Sequence, residues 1–142
     1  MSITIKLDRP NRLYREGELL TGRVRVESSD KLSHNGIKLE VTGTINMQLS
    51  AKSVGLFEAF YSSVKPIQLL HYAVPLAKGG RIFPSKIEEY AFECQLDSTF
   101  GKSLYATFHG VYISVAYMVK VEIQLGGWGK KILKEDIEFI VE

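Results

Sequence analysis

The sequence predicts an all-β protein, an antiparallel sandwich of two sheets packed face to face. Three observations carry this. Apolar and polar residues alternate along most of the chain, glycine-containing turn signals break the alternation at short intervals, and no segment keeps a helical apolar spacing over helix length. Alternation puts successive side chains on opposite faces of a strand, so each run has one face for a core and one for water. Strands of that kind, polar on the outside, bury their dry faces by stacking in two layers.

The first run sets Ile3, Ile5 and Leu7 against Ser2, Thr4, Lys6 and Asp8. After the turn signal Arg15-Glu16-Gly17-Glu18, Leu20, Gly22, Val24 and Val26 alternate with Thr21, Arg23, Arg25 and Glu27. His34-Asn35-Gly36 reads as the next turn. It precedes the longest run, Ile37 to Leu49, whose odd positions are apolar or glycine and whose even positions are polar. At about 3.3 Å per residue that run would span roughly 40 Å, so Gly43 is expected to mark a bulge or bend. Lys78-Gly79-Gly80 is read as a turn, then Tyr90, Phe92, Cys94 and Leu96 form the dry face of a strand between Ile87 and Leu96. Beyond Phe100-Gly101-Lys102, the residues from Val111 to Leu125 alternate again, with a second face that is apolar at Tyr112 and Met118 and charged at Lys120 and Glu122. The Tyr112 and Met118 surface is read either as core or as contact with a further domain. Gly126-Gly127-Trp128-Gly129 reads as a hairpin tip, and Ile137, Phe139 and Val141 form the last strand. The segment without alternation is Ala51 to Ser63, where Val54, Phe57, Phe60 and Tyr61 recur at spacings of three and four, as in a short helix or an aromatic loop across the end of the sandwich.

The 142 residues suit one domain, and 45% hydrophobic with 24% charged residues are values of a globular chain. Eighteen Lys and Arg against 16 Asp and Glu leave a net charge of +2, scattered along the chain, which argues against a nucleic-acid partner. A single cysteine, Cys94, excludes an intrachain disulfide framework and a multi-cysteine zinc site, and fits a reducing compartment. The first ten residues carry Lys6, Asp8 and Arg9 and lack a signal-peptide run; no stretch is apolar enough for a membrane span, and no asparagine begins an N-x-S/T acceptor.

Catalysis finds little support. No G-x-S-x-G elbow surrounds any serine, and Cys94 lies on the dry face of its strand, where an inert thiol is the better reading. His34, His71 and His109 have no H-x-H or H-E-x-x-H spacing, so surface or turn histidines are favoured over a metal site. Gly101-Lys102-Ser103 lacks the upstream glycine of a phosphate loop, since Leu96 stands there, and no helix pattern follows. We therefore expect no catalytic residue, cofactor or metal, and a protein that works by contact. The interaction candidates are Phe57, Phe60 and Tyr61, which could equally cap the open end of the core, and Trp128, which could equally fold back on its own hairpin.

Three motifs then point to a family. Tyr14, Gly17, Glu18, Leu20, Gly22 and Val24 fit Y-x-x-G-E-x-L-x-G-x-V, which resembles the opening of arrestin-type domains. Phe108-His109-Gly110-Val111-Tyr112, followed by Tyr117, is similar to the aromatic-His-Gly step before the long late strand of arrestin-like sorting subunits. The run from Gln48 to Gly55, then Phe57-Glu58-Ala59-Phe60-Tyr61 and Ser63 to Ile67, resembles the retriever-type branch, the Down syndrome critical region protein 3 family. One departure is Cys94-Gln95, where such domains commonly have a proline.

The resemblance implies an arrestin-like, immunoglobulin-like sandwich, with residues 1–142 forming the N-terminal lobe of a two-lobed protein whose second lobe is not in this chain. It implies a non-catalytic scaffold or adaptor of an endosomal cargo-recycling complex. Partners would be a helical-solenoid subunit and a phosphoesterase-like subunit, with sorting nexin or cargo tails also in reach. The protein would be cytoplasmic and peripheral on endosomes, its membrane association indirect. Other readings are an arrestin-domain adaptor for cargo or ubiquitin ligases, and a lipid-carrying sandwich, which would need an apolar cavity between its sheets.

Overall fold

A computed structural model describes residues 2–47, 66–84, 86–101, 103–126 and 131–142. Every regular element among them is a strand: β1 (Ser2–Leu7), β2 (Leu13–Tyr14), β3 (Leu19–Glu27), β4 (Leu32–Met47), β5 (Ile67–Ile82), β6 (Glu88–Gln95), β7 (Phe108–His109), β8 (Ile113–Leu125) and β9 (Ile132–Val141). A small sheet has the order β1-β3-β6, and a larger one the order β2-β9-β8-β4-β5, with β7 paired to β8. The expected two-sheet sandwich is present.

The alternation read from the sequence is the alternation of burial. Leu20, Val24 and Val26 of β3 are inaccessible while Arg23, Arg25 and Glu27 are exposed; Leu39 and Val41 of β4 meet Val119 and Val121 of β8 on the same inner layer. Burying each such side chain stabilises the fold by about 1.5–3 kcal/mol relative to leaving it in water. Leu20, Val24, Leu39, Val41, Val119 and Val121 are all at 0% exposure, so interlocked side chains fill the space between the sheets where a lipid carrier would be hollow.

Gly43 does mark an irregularity, as the ladder to β5 shifts register between Gly43 and Thr44. A Cβ there would lie 2.5 Å from the Tyr117 ring. Gly22 likewise admits a close neighbour, since a Cβ would stand 2.6 Å from the Lys6 carbonyl oxygen and 2.7 Å from the Phe92 ring.

Two expected turns are not turns. His34-Asn35-Gly36 lies inside β4 and Lys78-Gly79-Gly80 inside β5, facing one another with His34 opposite Gly80 and Gly36 opposite Lys78. Their glycines serve bulges: Gly36 adopts φ +150°, and the ladders shift between His34 and Gly36 on the β8 side and between Ile37 and Lys38 on the β5 side. β5 is a strand that the alternation does not reveal, and β9 starts at Ile132, five residues before Ile137 where the sequence places the last strand. Pairing is antiparallel except for β2, which runs parallel to β9 with Leu13 beside Ile140 and Tyr14 beside Val141.

That parallel pair explains the first motif. Tyr14 is buried edge-on against Phe139, ring centres 5.8 Å apart, and Phe139 in turn packs at 5.7 Å against Tyr117. Gly17 makes the turn with φ +89°. Glu18 accepts both guanidinium arms of Arg9, at 3.0 and 2.9 Å, and the Arg15 amide at 2.7 Å. Those contacts, Arg9 first, hold its carboxyl below the ordinary carboxylate value. The Arg9 guanidinium also lies 4.6 Å over the Tyr14 ring, so one arginine ties the β1–β2 turn to the β2–β3 turn.

Candidate protein-contact surfaces

Phe57, Phe60, Tyr61 and Trp128, the four interaction candidates, lie outside the described residues. Their place in the chain is nevertheless defined by what flanks them. The three aromatic residues belong to the connection from β4, which ends at Met47, to β5, which begins at Ile67. Trp128 belongs to the β8–β9 connection, whose base is closed by the Leu125 amide donating to the Lys131 carbonyl at 2.8 Å.

Beside the end of β4 the described residues expose an apolar patch. Met47 pairs with Ile113, and Phe108 of β7 lies across from Val115. Met47, Phe108 and Ile113 are exposed, and at the turn between β7 and β8 Val111 and Tyr112 reach 77% and 63% exposure. The turn has a definite construction: Gly110 donates to the Ile113 carbonyl at 3.0 Å, and a Cβ on Gly110 would stand 2.5 Å from the Phe108 ring. The aromatic-His-Gly step thus folds the Phe108 ring over its own backbone and lifts Val111 and Tyr112 to the tip. Tyr112 is therefore not core, and Met118 is half-buried. A cluster of this kind, held on a rigid ladder, is characteristic of contact surfaces. The sequence marks Tyr112 as a contact candidate and names Phe108 and Val111 only within a motif; the exposure of Met47, Phe108, Val111 and Ile113 is not legible there, because alternation reveals which face is apolar but not whether a second layer covers it.

The chemistry-bearing side chains are dispersed and muted. Cys94 is 3% exposed, and burial, with the Asp97 charge adding, pushes its thiol up to about 11. A thiol so held is protonated at neutral pH and makes a poor nucleophile. His34 is buried opposite Gly80, His71 lies 3.5 Å from Glu40, and His109 lies 2.7 Å from Glu138 at an angle unsuited to a hydrogen bond. Burial alone would raise the Glu40 carboxyl, but Lys38 and His71 outweigh it and hold the group below its ordinary value. Among the described residues no three His, Cys, Asp or Glu side chains converge as metal ligands.

The buried groups make a pH prediction. Burial, with Glu16 adding, raises the Tyr117 hydroxyl to about 12; burial, with Glu88 adding, does the same to Tyr90. Cys94 and these tyrosines ionise from ordinary values of 9.0 and 10.0 in the unfolded chain. Their folded values are higher, so their contribution is complete below about pH 9 and is lost as pH rises towards 12. Melting followed by circular dichroism should be flat from pH 7 to 9 and fall steeply above; an unchanged melt at pH 12 would contradict the burial of these groups.

Comparison with known proteins assigns the fold. The profile of the family described as Vacuolar protein sorting-associated protein 26 (Vps26) matches residues 6–142. The chain belongs to the Vps26 family. It is 43% identical over 140 residues to Vacuolar protein sorting-associated protein 26C of Dictyostelium discoideum, covering 99% of this chain and 46% of that one. With Vacuolar protein sorting-associated protein 26A of Arabidopsis thaliana it shares 28% over 128 residues, 89% of this chain and 36% of the relative. The chain thus spans less than half the length of these Vps26 relatives. Similarity to a 26C protein agrees with the retriever-type branch that the sequence motifs indicate. Among solved structures, the sporulation control protein Spo0M of Bacillus subtilis superposes with a TM-score of 0.64 at 13% identity, covering 99% of this chain and 48% of that one, which is a likeness of fold alone. Among the described residues no helix is long and apolar enough to cross a membrane.

Proposed function

We propose that this chain is the N-terminal arrestin-like lobe, residues 1–142, of a non-catalytic scaffold or adaptor subunit in an endosomal cargo-recycling complex of the retriever type. The observation that carries the reading is the 43% identity to a 26C protein along 140 residues, against 28% to a 26A protein. The sandwich agrees with it: a filled core, a buried inert thiol and an exposed apolar end describe a protein whose work is contact.

In this reading the partners are a helical-solenoid subunit and a phosphoesterase-like subunit, and sorting nexin or cargo tails reach the membrane-facing assembly on the cytoplasmic side of endosomes. The Tyr112 end patch meets the second lobe. Phe57, Phe60, Tyr61 and Trp128 serve partner contact. Co-purification of the full-length product with endosomal solenoid subunits is the expected result; a full-length product that associates with none of them would overturn the proposal.

A further inference from the structure

The two sheets end side by side along one flank of the sandwich. β6 is the last strand of the small sheet and β5 the last of the large one, and among the described residues neither carries another strand on its outer edge. A cleft of about 400 Å³ lies between them, lined by Tyr72, Val74 and Leu76 from β5 and by Glu89, Tyr90 and Glu93 from β6. Its floor is apolar, since Tyr72, Val74, Leu76 and Tyr90 pack on the core yet stay half-exposed.

The two edges differ in what they offer. The Thr99 hydroxyl accepts from the His71 amide at 3.1 Å and donates to the His71 carbonyl at 3.2 Å, so the His71 backbone points away from β4. By the alternation of an antiparallel ladder the backbones of Ala73 and Pro75 point the same way, and Pro75 has no N–H to give. The β5 edge is therefore occupied at His71 and blunted at Pro75. On β6 the Leu96 amide donates inward to the Glu18 carbonyl at 2.9 Å. Counting back by twos, Cys94, Phe92 and Tyr90 face β3, and the N–H and C=O groups of Glu93, Ala91 and Glu89 face outward. The β3–β6 register from Leu19 to Val26 has no bulge, and β6 contains no proline.

β6 is also acidic. Its sequence Glu88-Glu89-Tyr90-Ala91-Phe92-Glu93-Cys94-Gln95 has three carboxylates and no base. Arg23 and Arg25 reach Glu89 at 3.9 and 3.3 Å, whereas Glu93 has no ion-pair partner among the described residues.

We infer that the open edge of β6 is a docking strand for an extended protein segment in which apolar residues alternate with basic ones. The backbone of the segment pairs with Glu89, Ala91 and Glu93. Its apolar side chains enter the cleft over Tyr90 and Val74, and its Lys or Arg side chains meet Glu93 on the outer face. This surface shares no residue with the Tyr112 end patch and does not depend on which complex the chain joins.

The test is a titration of the 142-residue chain with fluorescent decapeptides. One alternating lysine and valine is expected to bind at least about tenfold more tightly than one with five lysines followed by five valines. Ala91→Pro removes an outward N–H but no bond to β3, so it should keep the fold and weaken the alternating peptide at least about tenfold, while Ala91→Val retains binding. Glu93→Lys should weaken that peptide and strengthen one alternating glutamate and valine, and it decides alone if Ala91→Pro fails to fold. No binding, equal affinity for the two lysine peptides, or affinity unmoved by Glu93→Lys would overturn the inference. So would a wild-type dimer in sedimentation that Ala91→Pro dissolves, because the occupant would then be a second copy of this chain.

Discussion

Replacing Phe139 by alanine should cost about 3–5 kcal/mol of unfolding free energy, the range for emptying a fully buried phenylalanine site. Phe139 is at 0% exposure and is the middle ring of three, edge-on to Tyr14 and tilted against Tyr117. Its loss leaves a cavity where β2 and β8 both meet β9, and takes from the two-residue β2 the ring on which Tyr14 packs. Since a domain has only about 5–15 kcal/mol in all, the melting temperature should fall by about 10–20 °C. Urea denaturation gives the measurement; a loss under about 1 kcal/mol would mean that the ring does not join these three strands.

Gly43→Ala should destabilise as well, although exchanging glycine for alanine ordinarily gains about 0.4–1 kcal/mol by restricting the unfolded chain. The added carbon would lie 2.5 Å from the Tyr117 ring and 3.3 Å from the Leu70 Cβ. Tyr117 cannot swing aside freely, because it is fully buried and its hydroxyl donates to the Tyr105 carbonyl at 2.5 Å. Overpacking of this kind costs about 1–3 kcal/mol, so the steric effect wins. The decisive comparison is with Tyr117→Leu: in that background the alanine should be nearly free, a coupling of about 1–2 kcal/mol in the double-mutant cycle. Additive losses would place the strain elsewhere than at the ring.

What the sequence made legible follows from how strongly each strand is divided between core and water. β1, β3, β4, β6 and β8 each have one wet and one dry face, and their alternation is visible residue by residue. β5 is hidden because Leu69 and Leu70 are both buried in succession, and because Pro75 and Gly79-Gly80 look like breaks. An edge strand tolerates both: the missing N–H of Pro75 falls on the unpaired side, and the glycines face the bulge in β4. The front half of β9 is not legible because Lys134, Glu135 and Asp136 interrupt the alternation between Leu133 and Ile137; Lys134 and Asp136 pair with the polar Glu122 and Lys120 of β8, and Glu135 with the buried Val121. The parallel pairing of β2 with β9 is a contact between distant residues, which no local pattern encodes. For the contact surface, the sequence identified the aromatic-His-Gly step and Tyr112, while exposure at Phe108 and Val111 depends on what the fold leaves uncovered.

The β2–β9 pair has a consequence during synthesis. Arg12 donates to the Glu138 carbonyl across 126 positions of sequence, next to the Leu13–Ile140 and Tyr14–Val141 partners. Translation proceeds at about 5–20 residues per second, so the ribosome keeps these partners apart for roughly 6–25 s. Throughout that interval Tyr14 has no Phe139 to cover it, and the large sheet lacks the strand that separates β2 from β8. The nascent sandwich can close only after Val141 has cleared the exit tunnel, and until then a chaperone has an exposed tyrosine and an unfinished sheet to hold.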